Sequence, residues 1–582
     1  MFRSVSGKPL GYLSAALVLL IAGCGGGGGD STDSGTQANS YSSSSSSAGA
    51  SSSSTSSATS SLSSSSAGSS ASTASSSATS GLLSVACSGS NCAAASATEY
   101  SGSGIGIWSS GSSTSARQGT FTLSGVSGKT VTLIWTNLSS TAKTGTLSAT
   151  ANVSHGGGTD AAQLREAMEA SKPFVASGLT NGAQQLSASV SSNIQASYTV
   201  GSSTRSWYDA VTGTTLSTVL RQQAGLSNGQ NLNVWVQNSA WTATGASNKV
   251  TQTLVDLVSS EFANSGTGIF DLATSVAGQP WGTTGNANLI SSSQDIHIVV
   301  TNFTNDNTAS SVLGYFYAAN NFLKTTSGMG NSNEALVFFI DAQSLASAAT
   351  MYQDIMVSTL AHEFTHMINF YQREVLKGSS YGFDTWLEEA SAMMMEDLLN
   401  PLIITSFNDI RDSRIPGWLA AGINNCSLNV YDANSSTCFS YNIGAAYGAY
   451  LLRQYGVGFY KTLLQSDNTD SLTALEKSIA ASDSSAGFLS SLPRWGASIA
   501  LLDSSLLPTG FGYPARSVSV NGNSYTVPAL NGPDYASDRK LSSLPNSLKA
   551  YAHAAQSYSA SGSTFSRTVS IPANTVLTVV VN

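Results

Sequence analysis

The chain has 582 residues, 10% of them charged and 41% hydrophobic, with a net charge of −8. That length is too great for one ordinary domain. The acidic balance, with no basic stripe anywhere, argues against a nucleic-acid partner.

Arg3 and Lys8 make a basic start, and Leu10 to Ala22 an apolar run. The run is well short of the roughly 20 residues that cross a bilayer, so residues 1–23 read as a signal peptide rather than a span. Ile21-Ala22-Gly23-Cys24 resembles the bacterial lipobox. The resemblance implies cleavage before Cys24, a lipid on that cysteine, and membrane attachment through it. Gly25 after the cysteine fits outer-membrane sorting, or display at the cell surface with possible release. Residues 24–80 are glycines followed by a serine-rich tract, too poor in apolar surface to fold, and read as a flexible tether.

Without Cys24 four cysteines remain: Cys87, Cys92, Cys426 and Cys438. In an exported chain they suggest two disulfides. Three pairings are possible; the local one, Cys87 with Cys92 and Cys426 with Cys438, is expected because each pair closes a short polar loop. Residues 93–154 hold short alternating runs (Gly104 to Trp108, Thr120 to Leu123, Val131 to Thr136) and read as a small β-sandwich-like domain. Residues 155–205 read as a connector or pro-segment, with a short helix over Asp160 to Ala170 ended at Lys172-Pro173.

Residues 206–507 read as one α/β (α+β) unit with a mixed sheet lobe, a helical lobe and a cleft between them. Leu232 to Gln237, Ile296 to Thr301 and Leu336 to Asp341 are its strands, and Val250 to Phe262 has helical periodicity. His297 alternates within an apolar strand and reads as a core histidine. Further helices are expected over Thr385 to Leu399, Tyr447 to Tyr455, Phe459 to Gln465 and Thr473 to Ser482. Residues 508–582 turn β-like again, with a hairpin signal at Val520-Asn-Gly-Asn-Ser524, and read as a small C-terminal β domain.

The chemistry centres on His362-Glu-Phe-Thr-His366, two of the five histidines in an HExxH pattern. Histidines four apart lie on one face of a helix, so both imidazoles can reach one metal ion. Glu363 can then meet the metal's water as general base. Ile355, Met356, Leu360, Phe364, Met367 and Ile368 give this helix a broad apolar face. A catalytic zinc takes three protein ligands and keeps one position open. Asp384 to Ala392 is the candidate source of the third, and it offers both Glu388 and Glu389. Neighbouring helical residues point about 100° apart, so only one of them can face the metal. A metzincin is excluded: Asn369 and Gln372 stand where its glycine and third histidine would fall.

Trp386-Leu-Glu-Glu-Ala390 resembles the second motif of the gluzincin metallopeptidases. Together with Ala361 to Phe370, and with Gly314-Tyr-Phe and Ser332 to Asp341 upstream, it is most similar to the hyicolysin family of secreted bacterial metalloproteases. The resemblance covers roughly Gln230 to Tyr455. It implies Zn²⁺ held by His362, His366 and Glu389, with peptide or protein substrates. Met393 stands where some relatives carry an aspartate that orients a zinc histidine; Asp384 and Glu396 are the substitutes, unranked. Tyr441-Asn-Ile-Gly444 resembles a segment of aminopeptidase-type gluzincins whose tyrosine stabilises the transition state, which implies that role for Tyr441, with Tyr447 as alternate. By the same analogy Leu336 to Asp341 would be the sheet edge that receives substrate. The expected activity is zinc-dependent endopeptidase. The competing readings are a surface-displayed binding or adhesion lipoprotein with a vestigial site, and an aminopeptidase. The last needs an acidic amine anchor, of which Ser332-Asn-Glu334 is a faint echo.

Overall fold

The computed structural model describes residues 81–144, 147–149, 197–243, 248–303, 312–404, 407–420, 422–432, 438–531, 535, 539 and 543–582. The signal peptide, the tether and the helix expected over Asp160 to Ala170 lie outside the described residues, as does most of the connector.

The N-terminal part supplies β1 (Ser84–Val85), β2 (Ala94–Ser96), β3 (Glu99–Tyr100), β4 (Gly106–Ser109), β5 (Arg117–Ser124), β6 (Thr130–Asn137) and β7 (Lys143–Thr144). A six-stranded sheet follows from β8 (Thr204–Asp209), β9 (Thr214–Gly225), β10 (Asn231–Gln237), β11 (Ile296–Thr301), β12 (Gly314–Phe316) and β13 (Leu336–Asp341). Its order is β12-β13-β11-β10-β9-β8. β10, β11 and β13 run parallel, and β12 closes one edge antiparallel to β13. Every residue of β11 and β13 is buried, as uninterrupted apolar runs in a sheet covered on both faces should be. That burial corrects the expectation for Leu336 to Asp341. A strand so apolar is bonded on both sides, and the three-residue β12 takes the edge.

Two helices, α1 (Gln252–Ala263) and α2 (Ile269–Ala277), and the long α3 (Thr350–Asn369) cover this sheet. Phe364 of α3 meets Phe262 at 4.9 Å and Phe270 at 5.7 Å between ring centroids, and Phe262 in turn meets Phe338 at 6.0 Å. The apolar face expected of the motif helix is thus turned to the sheet, and the histidines to the other side. A π-helical turn, Phe370–Val375, follows α3.

The helical half comprises α4 (Thr385–Ile403), α5 (Ser440–Leu464), α6 (Ser471–Ser482) and α7 (Phe488–Leu501). The two helices expected between Tyr447 and Gln465 form one element broken at Gly456, whose φ of 79° only glycine adopts readily. α5 also begins earlier than expected and so carries Tyr441. Its approach to α4 depends on small residues: a Cβ at Gly448 would lie 2.8 Å from Met394 Cγ.

The C-terminal part divides. β14 (Arg516–Val520) and β15 (Asn523–Val527) form the expected hairpin, turning through Asn521 and Gly522 at φ 50° and 78°. It docks on the helices, where the Tyr525 hydroxyl donates to the Leu398 carbonyl at 2.7 Å. The remaining strands, β16 (Ser547–Leu548), β17 (His553–Ser559), β18 (Thr564–Ile571) and β19 (Thr575–Val581), do not form a domain of their own. They interleave with the N-terminal strands in sheets ordered β1-β4-β19-β6-β17 and β18-β5-β3-β2. The two β domains expected at either end are therefore one sandwich. Each end alone leaves strands without partners and one apolar face uncovered. Trp108 and Trp135 are fully buried in its core. Both disulfides pair locally, Cys87 with Cys92 and Cys426 with Cys438.

Candidate metal centre

α3 presents His362 and His366 one turn apart, with ring centroids 4.8 Å from each other. α4 crosses opposite and brings Glu389 between them. Glu389 Oε2 is 3.1 Å from His362 Nε2 and 3.6 Å from His366 Nε2. The three ligand atoms lie within 4.8 Å of one another, and all three residues are buried. Two imidazole nitrogens and one carboxylate oxygen on a common focus form a donor set that suits a divalent metal of zinc's class and leaves a coordination position open.

The other ring nitrogens face carboxylates. His362 Nδ1 is 2.7 Å from Glu396 Oε1, and His366 Nδ1 is 2.8 Å from Glu388 Oε1. In the neutral form with the proton on Nδ1, each imidazole would donate outward and offer Nε2 as a lone pair to a metal. Glu396 therefore stands where Met393 leaves a gap, and Glu388 meets the outer nitrogen of the second histidine rather than the common focus. Asp384, the other candidate, begins α4 at the surface and touches neither histidine. Ser358 donates to Glu396 at 3.0 Å, and Asn369 donates to Glu388 at 3.0 Å. Sequence reasoning missed both, although Ser358 lies four residues before His362 and Asn369 three after His366, on the same helical face.

Charge follows from this crowding. Burial disfavours protonation of His366, but Glu389 and Glu388 outweigh it and raise its pKa to about 10. The same balance, with Glu389 and Glu396, raises His362. Burial opposes ionisation of Glu389, and the histidines overcome it, holding its carboxyl below the usual range. Glu363 has the opposite outcome. Burial raises its pKa to about 7, against the pull of His362 and His366 and a hydrogen bond with the Phe316 backbone. That bond ties the motif glutamate to the edge strand. Gly314 permits the approach: a Cβ there would lie 2.9 Å from Glu363 Cγ and 3.0 Å from the Phe339 carbonyl.

Tyr441 starts α5 beside the centre, its ring 6.4 Å from that of His362. Tyr431, which sequence reasoning missed, donates to the Tyr441 hydroxyl at 3.0 Å. Arg414 lies 5.3 Å from the Tyr441 ring. The alternate, Tyr447, is elsewhere, its hydroxyl 2.7 Å from Ser491 Oγ and its ring against Trp495. His297 is a buried core residue whose Nδ1 is 3.0 Å from the indole nitrogen of Trp235. Glu334 accepts from the Lys324 backbone at 2.9 Å, in the turn before β13.

An HExxH helix and a crossing helix that completes a His-His-Glu set, carried on a mixed α/β scaffold, define a metallopeptidase-type centre. Sequence comparison agrees. Residues 212–582 match the family described as peptidase M30, and the chain belongs to that family. Residues 85–148 match a domain of unknown function, DUF8571. The boundary between the two matches thus cuts through a single sandwich. The neutral metalloprotease ShpI of Staphylococcus hyicus is 28% identical over 262 residues, which are 43% of this chain and 52% of the relative. The chain thus spans about half the length of that curated relative.

Proposed function

We propose that this chain is a zinc-dependent endopeptidase, exported and held to the membrane by a lipid on Cys24. The observation that carries the activity is the convergence of His362, His366 and Glu389 beside Glu363. Zinc bound by those three residues would polarise the scissile carbonyl and acidify the attacking water. Glu363, buried beside the three ligands, would take the proton from that water and pass it to the leaving amine. Tyr441 is the donor proposed for the oxyanion. Accepting from Tyr431 makes its hydroxyl a stronger donor in turn.

An extended peptide would add to the edge strand Gly314–Phe316 rather than to Leu336–Asp341. Its backbone would then run past Glu363, which the edge strand already touches. An endopeptidase is preferred to an aminopeptidase because Glu334, the suggested amine anchor, is engaged with the Lys324 backbone. Export and anchoring rest on the first 24 residues of the sequence alone.

The test is metal content together with proteolysis. The purified chain should hold about one zinc per molecule and digest casein in a chelator-sensitive way. Glu363→Gln should keep the zinc and lose at least about 1,000-fold in turnover. Full activity in that variant would end the proposal.

A further inference from the structure

A cavity of about 460 Å³ opens beside the metal centre, bounded by Asp384, Trp386, Asn429, Tyr431, Asp470 and Leu472. Two walls connect it to the chemistry. Trp386 is one helical turn before Glu389 on α4, and Tyr431 donates to Tyr441.

The lining is specific in charge. Asp384 begins α4, but its side chain makes no cap hydrogen bond. Asp470 caps α6 through Oδ1 alone, accepting from the Thr473 backbone at 2.7 Å and its hydroxyl at 2.6 Å. Among the described residues neither carboxylate forms an ion pair. The side-chain oxygen of Asn429, shielded from solvent in the same wall, has no hydrogen-bond partner. Asp384 and the Asn429 oxygen have no protein donor among the described residues, Asp470 uses one oxygen only, and both aspartates face solvent. Trp386, Tyr431 and Leu472 supply apolar surface between them. A long aliphatic stem ending in a cation matches both features: the stem lies along the aromatic and leucine walls, and the head meets the carboxylates.

We propose that this cavity is the subsite for a lysine or arginine side chain of the peptide substrate. The assignment deepens the endopeptidase reading and rests on it. Two aspartates and an amide oxygen select for positive charge, and the apolar walls of Trp386, Tyr431 and Leu472 favour an aliphatic stem over the α-ammonium of a free N-terminus.

The experiment uses the full chain carrying Glu363→Gln, so that binding is read without cleavage. The probes are peptides blocked at both ends, with one arginine at successive positions, each paired with a twin carrying neutral citrulline. At one position the arginine peptide should bind about tenfold more tightly than its twin. Adding Asp384→Asn and Asp470→Asn, which keep side-chain shape at both positions and capping ability at 470, should shrink that ratio below about twofold. As a second readout, casein digested by the protein with Glu363 intact should be cut with Lys or Arg at one fixed position. That bias should fade in the double aspartate variant. Equal or undetectable binding of the twins overturns the proposal. So does a ratio that survives the double substitution, or binding that appears only with a free N-terminus. A chain that binds with the expected ratio but cleaves nothing would sink the endopeptidase reading and leave the cation subsite standing.

Discussion

At the scale of single residues, the histidines are set by what lies behind them. Glu396 and Glu388 each accept from the outer nitrogen of one imidazole, at 2.7 and 2.8 Å. Replacing either by glutamine keeps the volume and weakens the bond that orients the ring. Each single variant should lose about 10–100-fold in metal affinity, measured by competition with a chelator of known strength. Unchanged affinity would mean that the rings are held by packing alone. Gly314 is the other sensitive residue, because its missing side chain lets β12 lie against Glu363. Gly314→Ala should cost about 1–3 kcal/mol of stability and about 10–100-fold in turnover while leaving the bound metal in place. The HExxH residues are legible in the sequence because helical spacing alone puts them on one face. Choosing Glu389 over Glu388 needs a family pattern, since adjacent residues on one helix carry equal chemistry.

At the scale of elements, α3 works because its two faces do different jobs. One face presents the ligands to α4, and the other packs Phe364 among Phe262 and Phe270. Phe364 is fully buried, so Phe364→Ala should leave a cavity and lower unfolding stability by about 3–5 kcal/mol. Chemical denaturation of the metal-loaded protein checks this, and a loss under about 1 kcal/mol would show that the helix is held chiefly by its metal side. The helix was legible from its periodicity. Which strand would form the sheet edge was not: Leu336–Asp341 and Gly314–Phe316 were both visible as segments, but edge position is a matter of who pairs with whom. The apolar continuity of Leu336–Asp341 carried the better signal, and it points inward.

At the scale of the whole molecule, the two ends of the chain meet. β6 lies between β17 and β19 across seven paired residues on each side. This sandwich abuts the helical half at His553, which is fully buried. The His553 ring meets Thr136 Oγ1 at 3.0 Å through Nδ1 and the edge of Trp495 at 4.7 Å, and its Nε2 has no partner. Burial lowers its pKa to about 3. The unfolded chain, with an ordinary histidine near pH 6.5, therefore binds more protons between those values. Its contribution to stability is complete above about pH 6.5 and falls as pH drops toward 3, by at most about 1.4 kcal/mol per unit. A His553→Gln variant should show a shallower decline over that window in denaturation series at stepped pH. Parallel curves would exclude this residue as the source.

The sequence by itself pointed to the helix that carries the candidate ligands, to the local pairing among three possible sets of disulfides, to the hairpin at Asn521-Gly522 and to a metallopeptidase. All of these depend on residues close together along the chain, where spacing translates directly into geometry. The tertiary structure alone decided the carboxylates behind the histidines, Tyr431 behind Tyr441, the edge strand, and the union of two β regions into one sandwich. Those features arise where distant segments pack. The alternation of a strand says which face is buried, but not whose strand will cover it.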